Sequence, residues 1–419
     1  MGANVLVMRL DVGPGRVTLE DVQRAWLPLV EQSDRIADSI TLTLLERDAA
    51  IYDQVDPDMR ADVRESTRVH IRRGLEVLTG QRPAGSSAAV QVWRETGRRR
   101  AQQGVPLELV LNAYTVGARM LWEALVADSQ RRDGRGDEPV LLLAARIVWS
   151  NLDVQTAVLI DSYRRESARL TRADLQRQQS VLDALVEGRG ADPEYAAEVR
   201  DALGVDPDAP VGCLVALLDG EPDGGMGPSE DRLERLGLSV RWHVRGGTYF
   251  GLVAASADVA HPVPVTLGED QLVEAVGPQV LARVGVCVAP DGVAGFASAY
   301  QLATRAAETM PRGTTGAVAV SQRLPEVLLA GSPQVAPLLL RETLGPLLAQ
   351  PEAQARTLLD TLAALLRHDG SPTHAAEELY CHRNTVIYRL KQIEELTGRS
   401  LNSPRDKLLL ELALMARDR

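Results

Sequence analysis

The chain has 419 residues, of which 45% are hydrophobic, 25% charged and only 4% aromatic, and its formal net charge is −11. That length calls for roughly two to four domains, the composition excludes wholesale disorder, and the core has to be mostly aliphatic. The charge is unevenly placed: residues 1–180 carry 25 basic and 25 acidic side chains, 181–330 carry 10 and 21, and 331–419 carry 11 of each. A negative total argues against nucleic acid as a partner, but with the whole excess in the middle both ends stay eligible.

Cys213, Cys287 and Cys381 are odd in number and far apart, with no C-x-x-C pair. They form neither a disulfide framework nor a zinc site, and they suit a reducing cytoplasm. The most apolar stretch, Val140 to Trp149, is interrupted by Arg146. It falls far short of the ~20 residues a membrane span needs. Only Lys391 and Lys407 are lysine, which points to an Arg-favouring genome.

From Thr18 to Leu175 apolar residues recur at three- and four-residue steps, as in Leu107, Val110, Leu111, Tyr114, Ala118, Leu121 and Leu125. This predicts a helical bundle over residues 1–160, broken at Asp56-Pro57, Gly80 to Ser87 and Arg131 to Pro139. Trp93, Trp122 and Trp149 are expected in its core, and Arg98 to Arg100 and Arg131-Arg132 as solvated charge. Residues 158–187 predict one charged helix leaving the bundle, so 161–195 is assigned as a linker. Ile160, Tyr163, Ser167, Leu170, Val181, Leu182 and Leu185 trace a partial seam, which Asp174 and Arg177 interrupt, and they predict limited pairing with a second copy. Residues 196–325 predict a small α/β domain, with strands at Val211 to Leu218, Tyr249 to Ala254, Ala282 to Ala289 and Ala317 to Val320 and a helix at Ser298 to Thr309. The last part, 326–419, is helical again, with helices at Gln334 to Leu348 and Glu352 to Arg367.

The segment after Arg367 carries the most specific pattern. Ser371 is placed to cap a helix that begins at Pro372 and carries Ala375, Ala376 and Leu379 on one face. A second helix runs from His382 to about Leu396 and is ended by Gly398. Two short helices with small residues at their crossing predict a helix-turn-helix. At 100° per residue, Val386, Leu390 and Ile393 form the inward stripe of the second helix. Asn384, Tyr388 and Lys391 lie opposite, Thr385 and Gln392 beside them, and Arg383 and Arg389 on the flanks. These side chains suit duplex DNA: Asn pairs with adenine, Arg with guanine or phosphate, Thr with phosphate or a thymine methyl. The candidate DNA-contacting set is therefore His382, Arg383, Asn384, Thr385, Tyr388, Arg389, Lys391 and Gln392, with Glu394 and Glu395 past the contact zone.

The run His382-Arg383-Asn384-Thr385, then Tyr388-Arg389-Leu390, Ile393-Glu394 and Leu396-Thr397-Gly398, closely resembles the DNA-binding domain of PucR/CdaR-type bacterial transcriptional regulators. Thr361-Leu362, Ala375-Ala376, Leu379, Pro404-Arg405-Asp406 and Leu412-Ala413-Leu414 extend the likeness. Glu378 departs from it, and is expected to be exposed and of little consequence. The resemblance also implies a GGDEF-like middle domain, whose motif falls on Gly246, Gly247, Thr248, Tyr249 and Phe250. Cyclases of that kind need carboxylates at the third and fourth positions to hold Mg²⁺. Thr248 and Tyr249 supply none, which predicts a degenerate domain without catalysis. Gly285-Val286, Gly292 and Ala299 to Glu308 resemble the same module. The Pro106 to Glu123 stretch is similar to a helical sensor-like domain found ahead of such modules and in stress-signalling co-antagonist proteins.

No Walker loop, G-x-G-x-x-G, G-x-S-x-G or H-x-x-x-H occurs, so no cofactor or metal is assigned, His70 standing as a lone haem-ligand candidate. The fold class is multidomain α plus α/β: an N-terminal bundle, a GGDEF-like α/β domain and a C-terminal helix-turn-helix. The expected protein is a cytoplasmic, homodimeric DNA-binding regulator answering an unidentified effector. The alternatives are a cyclic-dinucleotide-related enzyme or a ligand-binding scaffold using the middle domain, and a protein-interaction scaffold whose terminal helices serve only assembly.

Overall fold

A computed structural model describes residues 17–47, 57–82, 87–132, 138–217, 227–256, 267–278 and 280–417. The chain divides into two compact units, Met1–Asp174 and Leu175–Arg419.

The first unit is built from α1 (Leu19–Val30), α2 (Ser33–Arg47), α3 (Pro57–Leu78), α4 (Ser87–Gln102), α5 (Leu107–Arg131) and the first part of α6 (Glu138–Val186). Thr18 starts α1 with a reciprocal cap: its hydroxyl accepts from the Asp21 N–H, and the Asp21 carboxylate accepts from the Thr18 N–H at 2.8 Å. The Thr18 hydrogen bonds hold the Asp21 carboxyl below its ordinary range. Apolar side chains at helical spacing bury Trp26, Leu29, Ile40, Leu44, Leu75, Leu121 and Leu125 together. Trp122 packs against this core, whereas Trp149 is exposed, contrary to expectation. Arg100 also departs from the solvated patch predicted for it. It is buried on α4, and its Nη1 donates to Asp62 Oδ2 on α3 at 2.8 Å.

Helix α6 is a continuous 49-residue helix, so it starts about twenty residues before the charged stretch that marked it in the sequence. Its last turns join the second unit. Val181, Leu182 and Leu185 are buried in the core of the α/β domain, not on a seam toward a second copy. Their spacing marks a covered stripe, and the cover is the sheet of the same chain.

That sheet comprises β1 (Val211–Leu217), β2 (Leu238–Arg245), β3 (Thr248–Ala255), β4 (Arg283–Ala289) and β5 (Gly316–Ala319), in the order β2-β3-β1-β4-β5. Neighbours are antiparallel except β4 and β5. The parallel pair is joined through α10 (Phe296–Glu308), as a crossover requires. One face packs Cys213, Val215, Phe250 and Cys287 against α6, α10 and α7 (Pro193–Leu203). The other packs Leu214, Ala216, Val253 and Val284 against α8 (Gly227–Arg235) and α9 (Glu269–Val276). With both faces covered, β1 reads as an unbroken apolar run. Gly285 lets α10 approach β4 closely, since a Cβ there would sit 1.8 Å from the Ala303 carbonyl oxygen.

The remaining helices are α11 (Leu324–Ala330), α12 (Val335–Leu348), α13 (Glu352–Arg367), α14 (Pro372–Glu378), α15 (Arg383–Thr397) and α16 (Pro404–Arg417). Leu344, Leu347, Leu358, Leu362, Ile393, Leu410 and Leu414 form one core among them. Ala364, Leu365, Ala375, Ala376 and Val386 form a second, where small residues let α14 and α15 cross close to α13.

Candidate nucleic-acid interface

Helix α14 begins as its sequence dictates: Ser371 Oγ accepts from the His374 N–H, and Pro372 takes the first helical position, where a missing N–H costs nothing. After Glu378 the chain turns sharply. Tyr380 adopts φ +51°, and the Cys381 N–H returns to the Ala376 carbonyl at 3.0 Å. Tyr380 is 98% exposed, so this strained conformation presents a whole aromatic side chain at the turn.

His382 caps α15 with its ring: Nδ1 accepts from the Asn384 N–H at 3.2 Å. This requires the lone pair on Nδ1, which leaves the proton of the neutral ring on Nε2. Gly398, at φ +64°, closes the helix and donates to the Glu394 carbonyl.

The faces of α15 fall where the 3.6-residue period puts them. Val386 and Ile393 are fully buried, and Leu390 packs half-buried beside them. Arg383, Asn384, Tyr388 and Lys391 are exposed, while Thr385, Arg389 and Gln392 are half-buried at the sides. Arg389 leans toward α13, where its Nη1 donates to Thr361 Oγ1 at 3.4 Å. The Glu394 carboxylate is engaged away from this face, accepting from Ser400 Oγ at 2.7 Å and the Leu401 N–H at 3.2 Å. The open surface of the first three turns thus combines two cations, an amide and a phenol.

Glu378 is exposed as expected, yet it is far from idle. Its carboxylate pairs with Arg367 and, at 2.8 Å, with His368 Nε2, fastening α14 to the end of α13. The Arg367 hydrogen bond, with His368 behind it, holds its pKa below the ordinary range. Sequence spacing gave no sign of these partners, because they are ten and eleven residues away across a turn.

In the middle domain, Gly246 (φ +54°) and Gly247 (φ +82°) form the two-residue turn between β2 and β3, with both central residues in the left-handed region that such a hairpin demands. Thr248 pairs with Arg245 across the ladder, and the Tyr249 ring stacks on Trp242 with centroids 4.8 Å apart and planes 8° from parallel. Phe250 is fully buried. Arg245 reaches back to α6, donating to the Asp183 carbonyl at 3.0 Å and to Glu187 Oε1 at 2.9 Å. The hairpin tip therefore offers a hydroxyl and a stacked phenol where a cyclase offers two carboxylates, and this donor set does not fit Mg²⁺. Among the described residues, no three or more His, Cys, Asp or Glu side chains gather as metal ligands, and no helix is long and apolar enough to cross a membrane.

Three family models match the chain in series. They are the RsbT co-antagonist protein rsbRD N-terminal domain over residues 34–178, the GGDEF-like domain over 187–309, and the PucR C-terminal helix-turn-helix domain over 358–416. The chain ends in a PucR-type helix-turn-helix. The chain is similar to the purine catabolism regulatory protein of Bacillus subtilis, with 45% identity over 67 residues, 16% of this chain and 13% of that one. It is similar to the carbohydrate diacid regulator of Escherichia coli, with 45% identity over 73 residues, 16% of this chain and 19% of the relative. A longer likeness joins it to an uncharacterised protein of Mycobacterium tuberculosis, 32% identical over 252 residues and covering 57% of each chain. The chain thus spans between about an eighth and somewhat over half the length of these relatives. The PucR-type match takes in all of α14 and α15, whereas the N-terminal match runs along α6 to residue 178, inside the helix that joins the two units.

Proposed function

We propose that the chain is a DNA-binding transcriptional regulator whose helix α15 enters the major groove. The observation that carries this reading is the exposed face of α15, where Arg383, Asn384, Tyr388 and Lys391 stand open to solvent opposite the buried Val386 and Ile393. Arg383 and Lys391 supply the cationic charge that phosphates or guanine edges recognise, and Asn384 is suited to adenine. Thr385 and Gln392 border the groove face. Arg389, tied to Thr361, is placed to meet the phosphate backbone at the flank. His382 keeps its Nε2–H for a phosphate oxygen. The relatives from Bacillus subtilis and Escherichia coli are named as a regulatory protein and a regulator, which supports the same reading. As a homodimer acting in the cytoplasm, the protein would set two reading helices about 34 Å apart, or a multiple of that.

The middle domain is read as non-catalytic, supported by Thr248 and the stacked Tyr249 at the hairpin tip. The helical unit ahead of it is read as the receiver of the signal.

The test is a gel shift on the genomic DNA fragments that the full chain enriches, at several salt concentrations. Asn384→Ala should relax specificity at one base position and cost about 1–3 kcal/mol. Arg383→Ala should weaken binding and, if its contact is a phosphate, reduce the slope of log affinity against log salt by about 1. Unchanged affinity and unchanged salt slope in both variants, with folding intact, would remove α15 as the reading element.

A further inference from the structure

We infer that the cavity inside the N-terminal unit is a binding site for a compact neutral molecule, the size of one substituted ring, that carries a single hydrogen-bond acceptor for Tyr114. The cavity measures about 170 Å³ and lies among α2 to α6. An apolar cavity of about 150 Å³ already holds benzene, so this space takes one ring and a small substituent and is too small for a haem. Most of its wall is aliphatic, with Trp93 contributing an indole.

One corner is polar, and its hydrogen bonds can be followed atom by atom. His70 Nδ1 lies 2.6 Å from the Ser66 carbonyl oxygen, which only accepts, so Nδ1 carries the proton. The other ring nitrogen, Nε2, is then an acceptor 3.1 Å from the Thr96 hydroxyl, whose single proton is shared between it and the Val92 carbonyl at 2.9 Å. The Tyr114 ring stands edge-on to this imidazole with centroids 5.5 Å apart. Its Oη is shut off from solvent and makes no hydrogen bond of ordinary geometry, the Thr96 hydroxyl being the polar group that lies near it. A buried hydroxyl without a partner costs about 1–3 kcal/mol, and in native proteins such a group calls for an explanation. Here it leaves one donor unspent in the wall of a ring-sized apolar space.

The charge of the corner is settled as well. Burial lowers the His70 pKa and pushes the Tyr114 phenol up, so both are neutral near pH 7. Arg100, which also lines the space, is matched by Asp62 at 2.8 Å and donates to Ser66 Oγ at 2.7 Å. Arg73 also lines the space but is exposed to solvent, so the buried cation of the wall, Arg100, is already paired, and a carboxylate drawn into this apolar volume would lose its hydration for little return. An acceptor oxygen on a neutral ring fits both the space and the spare O–H.

Three probes applied to the full chain without DNA test this site, and their outcome does not depend on whether α15 reads DNA. Acetophenone has a ring and an acceptor, ethylbenzene a ring alone, and benzoate a ring with a charge. By ligand-observed saturation-transfer NMR, acetophenone should bind to saturation and ethylbenzene should compete for the same site roughly fivefold to tenfold more weakly, the worth of one hydrogen bond. Benzoate should not compete. Tyr114→Phe should bring acetophenone down to the ethylbenzene level and leave ethylbenzene unchanged. The same variant should raise the thermal midpoint of the unliganded chain, because it removes a buried hydroxyl that lacks a partner. A fall in that midpoint would mean that the hydroxyl is satisfied within the protein, and would overturn the inference. So would acetophenone binding Tyr114→Phe as tightly as the parent chain, or failure of all three probes to saturate. Ala113→Phe, which fills the space, should abolish both neutral probes, and retained binding there would place them elsewhere.

Discussion

Asp62 is the group whose loss the N-terminal unit should feel most. Its carboxylate accepts from Arg100 Nη1 at 2.8 Å and Gln103 Nε2 at 3.1 Å and pairs also with Arg99, and the side chains of Asp62 and Arg100 are only 13% and 7% exposed. Asp62→Asn keeps the volume and removes the charge. Arg100 cannot shed its proton, and would keep Ser66 Oγ, Gln103 Oε1 and at most the neutral amide oxygen of the new side chain as partners, with no buried counter-charge. Removing one member of a buried pair costs about 3–5 kcal/mol. The residual exposure of Asp62 puts this case at the low end, about 3 kcal/mol, which corresponds to roughly a hundredfold in an opening equilibrium. A chain of several domains has no single unfolding equilibrium, so the assay is amide hydrogen exchange on the full protein. Amides of α3 and α4 should exchange about a hundredfold faster in Asp62→Asn, while those of β1 and β4 stay as they are. Replacing the pair together, Asp62→Leu with Arg100→Met, should recover most of the protection, since no charge is then stranded. Unchanged protection in the single variant, or a double variant as open as the single, would refute the claim that this pair ties α3 to α4.

Three further outcomes follow from contacts described above. Gly285→Ala brings a methyl against the Ala303 carbonyl and should cost about 3 kcal/mol or more, read as accelerated exchange in β4 and α10 with the α14–α15 region unaffected. Ile393→Ala empties a fully buried position under α15 and should cost about 2–5 kcal/mol, with DNA affinity falling alongside the thermal stability of the C-terminal helices. Glu378→Gln tests the fastening of α14 to α13. Because the folded carboxyl is held below its unfolded pKa, its contribution is present above that unfolded value, near 4.5, and is lost as pH falls through the lowered folded value. The stability difference between parent and Glu378→Gln should therefore shrink steadily as pH falls below 4.5; a difference that grows over that range would contradict the assignment.

The helix-turn-helix was legible because each of its boundaries is set by a local rule. Ser371-Pro372 and Gly398 mark helix ends by backbone chemistry alone, and the Val386, Leu390, Ile393 stripe needs only the helical period. Strand β1 announced itself as a covered apolar run. In contrast, α7, α8 and α9 are 8 to 11 residues long and rich in charge, too short for their period to stand out. What the sequence could not disclose was the identity of partners. Val181, Leu182 and Leu185 show that something covers them and not what, since a sheet of the same chain and a second helix ask for the same stripe. Arg100 sits in a run of three arginines, and only the position of Asp62 on another helix separates it from its solvated neighbours. Tyr114 is similar: it belongs to an ordinary apolar periodicity, and its stranded hydroxyl becomes visible only when His70 and Thr96 are brought beside it.

The order of the sheet leaves β2 at one margin, with a row of backbone groups that no strand of the described residues pairs. Such a margin invites a second molecule to add its own strand. If two copies of β2 met antiparallel and centred on His243, Arg241 of each would face Arg245 of the other, and like charges directly opposite repel. Arg245 and His243 are moreover already held by Asp183 and Glu187 at the end of α6. In that register the outer strand is in effect fenced against its own likeness.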